Sequence, residues 1–384
     1  MNVKAIINNV SCFVLIMKIS LIRINLIFIL LVLFIPNLAS GETNTERSQH
    51  IEKLKNELNK SSRDTKNKKY KEGDDLLLIG KYKEAIDYFN KLIKLNHKDA
   101  EAYLGRARAY KEIGDYQNAL KDFNQSINLN LRNEKAYYYR SVLYVHIKES
   151  LKAISDISKA IDLSNDPKDK KAWLWLRGSE YEDLGEYQKA IIDLDKCIEL
   201  DKEYPDDLGW SADAYAERGS VFFRLGNYQQ AIKEFDKAIE LKPEEFGVYS
   251  DRGLAYDDAG DPQRAIIDYD KAFELAEKYE RELRDLWEKQ GWGHYQRTPN
   301  KNIYVIFIRR GAAYNKIGDI KRAVADFTNA IDYDPINPSA YFMRGFTYYY
   351  SNGDKGKGIE DMKIAARLGD IAAQNMLREK GIKW

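Results

Sequence analysis

Residues 100–133 read AEAYLGRARAYKEIGDYQNALKDFNQSINLNLRN, and this stretch decides the fold. Ala107 and Tyr110 lie three apart, one helical turn along the same face. Gly114-Asp115-Tyr116 then breaks the pattern as a helix stop followed by a helix start. Beyond the break come Ala119-Leu120, Phe123 four past the alanine, and the small Ser126 three further on. The stretch is therefore two amphipathic helices joined by a tight turn.

The same pattern recurs along the chain. An alanine followed by an aliphatic residue returns at Ala85-Ile86, Ala119-Leu120, Ala153-Ile154, Ala190-Ile191, Ala231-Ile232, Ala265-Ile266 and Ala323-Val324, with Gly358-Ile359 as a degenerate eighth, at steps of 34, 34, 37, 41, 34, 58 and 35 residues. A 34-residue unit with insertions accounts for these steps. A small residue stands twelve positions before each of the first seven landmarks (Gly73, Ala107, Ser141, Gly178, Gly219, Gly253, Gly311) and Gly345 stands thirteen before the eighth. Breaks recur at Gly80, Gly114, Gly185, Gly226, Gly260 and Gly318. Small residues let two helices approach closely where they cross, and large ones fill the space between successive pairs. No single pair can bury its apolar side alone, so the pairs must stack.

This spacing of small residue, aromatic, alanine and large residue resembles the tetratricopeptide repeat family over roughly residues 66–369. The resemblance implies an all-α, right-handed superhelical α-solenoid of about eight helix-turn-helix repeats. Their expected bounds are 66–99, 100–133, 134–170, 171–211, 212–245, 246–303, 304–337 and 338–371, with 372–384 as the end of a C-terminal capping helix. It also implies a concave groove, lined by the first helix of each repeat, that binds a peptide or a partner domain. Exposed groove positions would include Arg108, Tyr138, His146, Trp175, Glu182, Phe223, Arg224 and Asp257. Trp, Tyr and Arg are the types that most often dominate binding energy, although Tyr138, Trp175 and Phe223 equally suit packing between neighbouring hairpins. The basic clamp with which some relatives hold an acidic C-terminus needs Lys and, four residues later, Asn. Here those places read Tyr70 and Asp74, Leu104 and Arg108, Tyr138 and Val142, which argues against that chaperone role.

One departure from the family pattern is systematic. Where leucine is usual before the small residue, the chain has Arg106, Arg140, Arg177, Arg218, Arg252, Arg310 and Arg344. The same seven units carry an acid just before the second helix's large residue: Asp122, Asp156, Asp193, Glu234, Asp268, Asp326 and Asp361. In the first unit both positions change together, to Glu72 and Tyr88. The covariation predicts a ladder of salt bridges within or between hairpins.

The N-terminal region is different in kind. Residues 1–41 contain no acid, and Leu26 to Ile35 is an unbroken apolar run after Lys18 and Arg23, followed by Pro36 and then Ala39-Ser40-Gly41. That order is a signal peptide with Met17 as a plausible start and Glu42 as the first mature residue, or else an uncleaved membrane anchor. Both place the body outside the cytoplasm, periplasmic or secreted. Residues 42–65 form a polar linker, with a short amphipathic turn at Ile51, Leu54 and Leu58.

With 61 Lys and Arg against 60 Asp and Glu, no net field recruits nucleic acid or an anionic membrane. Cys12 precedes the apolar core, so Cys197 would be the single thiol of the mature chain. His50, His97, His146 and His294 lie far apart, and none sits in a metal or triad spacing. His146 with Glu149 is the nearest approach to a metal pair, and a solvated helix end is its simpler reading. Gly353 to Gly358 reads as a loosened turn rather than a phosphate loop. Asn59-Lys60-Ser61 and Asn124-Gln125-Ser126 match a glycosylation triplet, the second within a packed helix. The insertions, Asp201 to Ser211 and Ala276 to Asn302 with Trp287 and Trp292, are expected to project as loops or extended helices. No catalytic residue, cofactor or metal is expected. The sequence reads as a protein-protein interaction scaffold or adaptor, with an accessory subunit of an envelope enzyme or a polysaccharide-binding module as alternatives.

Overall fold

In the computed structural model the described residues are 69–205, 209–289, 301–351 and 353–384. The targeting segment, the linker, Ile51, Leu54, Leu58, Asn59, Trp292, Gly291, Gly293 and His294 lie outside them, as does the side chain of Trp287. Among the described residues there are 17 helices and no strand.

The chain divides into two compact units that part within one helix, after Ala214. The first holds four helix pairs: α1 (Lys71–Leu78) with α2 (Tyr82–Leu95), α3 (Ala100–Glu112) with α4 (Tyr116–Leu129), α5 (Glu134–His146) with α6 (Ser150–Leu163), and α7 (Pro167–Asp183) with α8 (Tyr187–Glu203). Helix α9 (Trp210–Arg224) begins in this unit and continues into the second, where it pairs with α10 (Tyr228–Leu241). There follow α11 (Phe246–Asp258) with α12 (Pro262–Lys289), α13 (Lys301–Lys316) with α14 (Ile320–Tyr333), and α15 (Pro338–Phe346) with α16 (Lys355–Arg367). Last comes α17 (Ile371–Glu379), whose Ala373 and Leu377 bury against Met362, Ala365 and Ala366 of α16.

The turns follow a local rule. Gly114 takes φ 82°, and Asp115 next to it accepts a hydrogen bond from the Asn118 amide at 3.2 Å, so one residue ends a helix and the next caps another. Between α5 and α6 the left-handed position falls to Lys148 at φ 62°, where other hairpins have glycine. Inside each hairpin the small residue faces the large one. A Cβ on Gly219, Gly253 or Gly311 would come within 2.7–2.8 Å of the Phe235, Tyr269 or Phe327 ring. The landmark alanines and these rings are buried throughout.

The last hairpin holds one extra residue between its small residue and its landmark, and the backbone absorbs it as a π turn over Thr347–Ser351. A π turn is a one-residue insertion in an α-helix, which keeps the helices on either side in register. Here both contact positions are glycine: a Cβ on Gly358 would lie 2.8 Å from the Gly345 carbonyl oxygen and 2.8 Å from the Tyr349 Cβ.

Both ends of the first insertion are tied to the scaffold, and residues 206–208 between them lie outside the described residues. Helix α8 runs on to Glu203, and the Asp201 carboxylate accepts from the Ser211 amide at 3.0 Å, the Ser211 hydroxyl at 2.6 Å and the Lys171 ammonium at 2.7 Å. Lys171 is fully buried and also donates to the Tyr204 carbonyl at 2.8 Å. A buried ammonium needs this shell, because unpaired it would cost several kcal/mol.

Candidate interaction surface

The predicted ladder is complete in all seven hairpins. Arg106 Nε and Nη2 donate to the two Asp122 oxygens at 2.6 and 2.8 Å. The same two-pronged contact joins Arg140 to Asp156, Arg177 to Asp193, Arg252 to Asp268, Arg310 to Asp326 and Arg344 to Asp361, while Arg218 places both prongs on one oxygen of Glu234. The acids are buried and the guanidiniums half-buried, so these pairs are stronger than ordinary surface bridges.

A third partner escaped the sequence reading. The free prong, Nη1, crosses to the preceding hairpin: to Asn90 from Arg106 (2.6 Å), Asn124 from Arg140 (2.5 Å), Ser158 from Arg177 (2.9 Å), Asp236 from Arg252 (2.6 Å), Asp270 from Arg310 (2.8 Å) and Thr328 from Arg344 (3.1 Å). Each acceptor directly follows the large residue of its second helix, and that recurrence of Asn, Ser, Asp or Thr was the available signal. Asn124 thus accepts from Arg140 through its Oδ1, and Ser126 of the second glycosylation triplet is buried.

In the first unit a polar and aromatic strip crosses all four first helices. Asp74 on α1 accepts from Arg108 on α3 at 2.8 Å. The Arg108 guanidinium lies 4.7 Å from the centre of the Tyr139 ring on α5, and Tyr139 meets Tyr138 at 5.3 Å. Tyr138 stacks on Trp173 of α7 at 5.4 Å with ring planes 25° apart. Arg108 and Tyr138 belong to the same strip and are linked through Tyr139. Asp74, Tyr139 and Trp173 were missed, although Asp74 and Arg108 stand one 34-residue repeat apart. On the same first helices, burial pushes the Glu101 carboxyl of α3 and the Asp169 carboxyl of α7 above the usual range, while Lys135 pulls both back.

Three expected exposures are corrected. Trp175 is only 6% exposed, because its ring packs 6.1 Å from Trp210. Asp257 is 8% exposed, because Lys316 of the next first helix pairs with it at 2.9 Å. His146 is half-buried rather than a solvated helix end: its Nε2 lies 2.5 Å from the Tyr116 hydroxyl, and the rings meet edge to face. Burial, then Lys111, lowers the His146 pKa, with Glu112 opposing. Glu182 is half-buried on α7. In the second unit Phe223 packs 5.4 Å from Tyr228, and Arg224 is exposed. Among the described residues no group of three or more His, Cys, Asp or Glu is arranged to hold a metal, and no helix is long and apolar enough to cross a membrane.

Comparison with known proteins agrees with this geometry. Family models described as tetratricopeptide repeat match residues 70–128, 174–204, 246–279 and 305–337, and one described as TPR repeat matches 219–260. No curated protein matches the sequence. Among solved structures, the anaphase-promoting complex hetero-tetramer Cut9-Hcn1 aligns with TM-score 0.52 at 14% identity over 78% of this chain, which spans 52% of that one. The C-terminal part of a TPR repeat-containing protein from Cytophaga hutchinsonii aligns with TM-score 0.51 at 22% identity, over 71% of this chain and 97% of its own. A tetratricopeptide repeat protein from Parabacteroides merdae aligns with TM-score 0.51 at 18% identity, over 73% and 98%. At such identities the likeness is one of fold. The recurring hairpins and the matching family models make this chain a tetratricopeptide repeat protein, and that family supports a protein-interaction scaffold.

Proposed function

We propose that the protein is a non-catalytic adaptor outside the cytoplasm, and that the first-helix face of its first unit holds a polypeptide segment or a partner domain. The observation that carries this reading is the strip from Asp74 through Arg108, Tyr139 and Tyr138 to Trp173. Its accessible hydrogen-bonding and aromatic groups lie on α1, α3 and α5, with Tyr138 backed by the buried Trp173 of α7, a suitable platform for an extended chain because little order is lost on binding. Export rests on the order of Lys18, Arg23, the apolar run and Ala39-Ser40-Gly41 in the sequence.

The test is affinity capture from periplasmic and membrane fractions with the wild-type chain and with Arg108→Ala and Tyr138→Ala. One stoichiometric protein, lost with both variants, supports the adaptor. Retention of a glycan and no protein would transfer the reading to a polysaccharide binder. Intact mass of the exported chain should match a start at Glu42; recovery of the chain solely from the cytoplasm would reject export.

A further inference from the structure

The turn that joins α13 to α14 faces the last hairpin across a cleft of about 920 Å³, within the range of about 300–1,000 Å³ typical of small-ligand sites. Seven of its nine lining residues fall between Ile317 and Val324, and the others are Tyr348 and Lys357 of the last hairpin. The site therefore belongs to the ends of two hairpins and not to the face formed by the first helices. Its walls are apolar. Ile317, Ile320 and Val324 come from the seventh hairpin, and the half-buried Tyr348 ring comes from the π turn of the eighth, a kind of turn that recurs at functional sites. Ile317 is 37% exposed, and an added Cβ on Gly318, at φ 78°, would meet nothing within 4 Å, so this end stands open.

The rim carries three cations, Lys321, Arg322 and Lys357, and one acid, Asp319. Two of the cations are committed. Arg322 pairs with Asp319 at 2.5 Å and lies 4.4 Å from the centre of the Tyr314 ring, and Lys357 pairs with Asp354 at 3.0 Å. Lys321 is exposed, forms no ion pair among the described residues, and acts on Asp319 only through its field. With Asp354 counted, three cations face two acids, and the surplus positive charge resides on Lys321.

We propose that this cleft binds a small single-chain carboxylate, its aliphatic tail against Ile317, Ile320, Val324 and the Tyr348 ring and its head on the Lys321 ammonium. The lining offers one apolar trough and one uncommitted cation, which matches one tail and one anionic head. A polypeptide fits it less well, because an extended chain would press its own N–H and C=O groups against aliphatic walls that cannot hydrogen-bond them. The exposed pairs of Arg322 and Lys357 stay as they are and serve to keep a second acid out of the rim. This site does not depend on the strip of the first unit.

The experiment titrates the full chain with sodium decanoate below its micelle concentration in a calorimeter. Saturable one-to-one binding is expected, weakened at least tenfold by Val324→Trp, which fills the trough, and several-fold by Lys321→Glu. Unchanged thermal midpoints show that the variants are folded, and Ile317→Asp, on the exposed wall, serves if Val324→Trp unfolds. Lys363→Gln, outside the cleft, and Arg108→Ala, in the first unit, should leave the affinity unchanged, and a comparable loss with either would overturn the proposal. Equal binding of decyltrimethylammonium, which has the same tail and the opposite charge, would overturn the role of Lys321 and with it the ligand class. No saturable binding of decanoate, or binding indifferent to both wall variants, would overturn the site itself.

Discussion

Arg310 grips Asp326 through both carboxylate oxygens, Nε to Oδ2 at 2.8 Å and Nη2 to Oδ1 at 2.7 Å, and spends its remaining prong, 2.8 Å long, on Asp270 of the preceding hairpin. One side chain thus closes its own helix pair and ties it to the one before. The apolar contacts supply most of the stacking energy, and the guanidinium sets the register in which the hairpins stack.

Asp326→Ala should therefore destabilise the chain by about 2–4 kcal/mol, since it strands a half-buried guanidinium, whereas the pair Arg310→Met with Asp326→Leu should cost much less. Chemical denaturation of both variants checks this. Equal losses would mean that the pair contributes through its attraction alone.

Lys148 occupies a left-handed backbone position at φ 62° that costs a side-chain-bearing residue about 1 kcal/mol. Lys148→Gly should raise stability by about 0.5–1 kcal/mol. A lower melting temperature would show that the Lys148 side chain gives more than its backbone strain takes.

Alanine is the rule at the landmark position, yet Gly358→Ala should destabilise by about 1–3 kcal/mol, because the new methyl meets the Gly345 carbonyl and Tyr349 at 2.8 Å. The helix propensity gained, about 1 kcal/mol, does not offset that clash. Thermal unfolding of the variant decides between the two.

Lys171→Ala should cost about 3–5 kcal/mol by leaving Asp201 buried without its cation. In the intact chain the Asp201 carboxyl is held below its usual value: burial pushes it up, but Lys171 and Ser211 outweigh that. A depressed carboxyl contributes stability that is complete above the unfolded pKa near 4 and is lost as pH falls through the folded value. Urea midpoints from pH 5 to pH 2 should decline less steeply in Asp201→Asn than in the wild type.

His146 shows the complementary case. Its pKa is lowered by burial and then by Lys111, so the folded state disfavours the proton, and stability is complete above about 6.5 and falls as pH drops below it. His146→Phe, which keeps a ring against Tyr116, should flatten the stability profile below about pH 6.5. An unchanged slope would assign the pH dependence to other groups.

The hairpins, their turns and the ladder's two main partners were legible because each is a matter of spacing along one chain. Covariation of Glu72 and Tyr88 in the first unit even marked where the ladder begins. Whether Trp175 lines the groove or packs was left open by the sequence, and its burial against Trp210 was decided by how the neighbouring hairpin lies. The same holds for Asp74 beside Arg108 and Trp173 against Tyr138, which belong to neighbouring repeats.

Periodicity therefore settled the helical class, the repeat and the two sets of residues that form the ladder, because a recurring pattern of small, large and charged residues fixes their spacing, while the structure decided that Arg310 grips the acid of its own hairpin. Which first-helix side chains stay open, as Phe346 and Tyr350 do, and which are consumed, as Trp175 and Asp257 are, was decided by tertiary packing. The physical reason is that exposure is set by the neighbouring hairpin's side chains, whose reach and rotamers no spacing along the chain encodes.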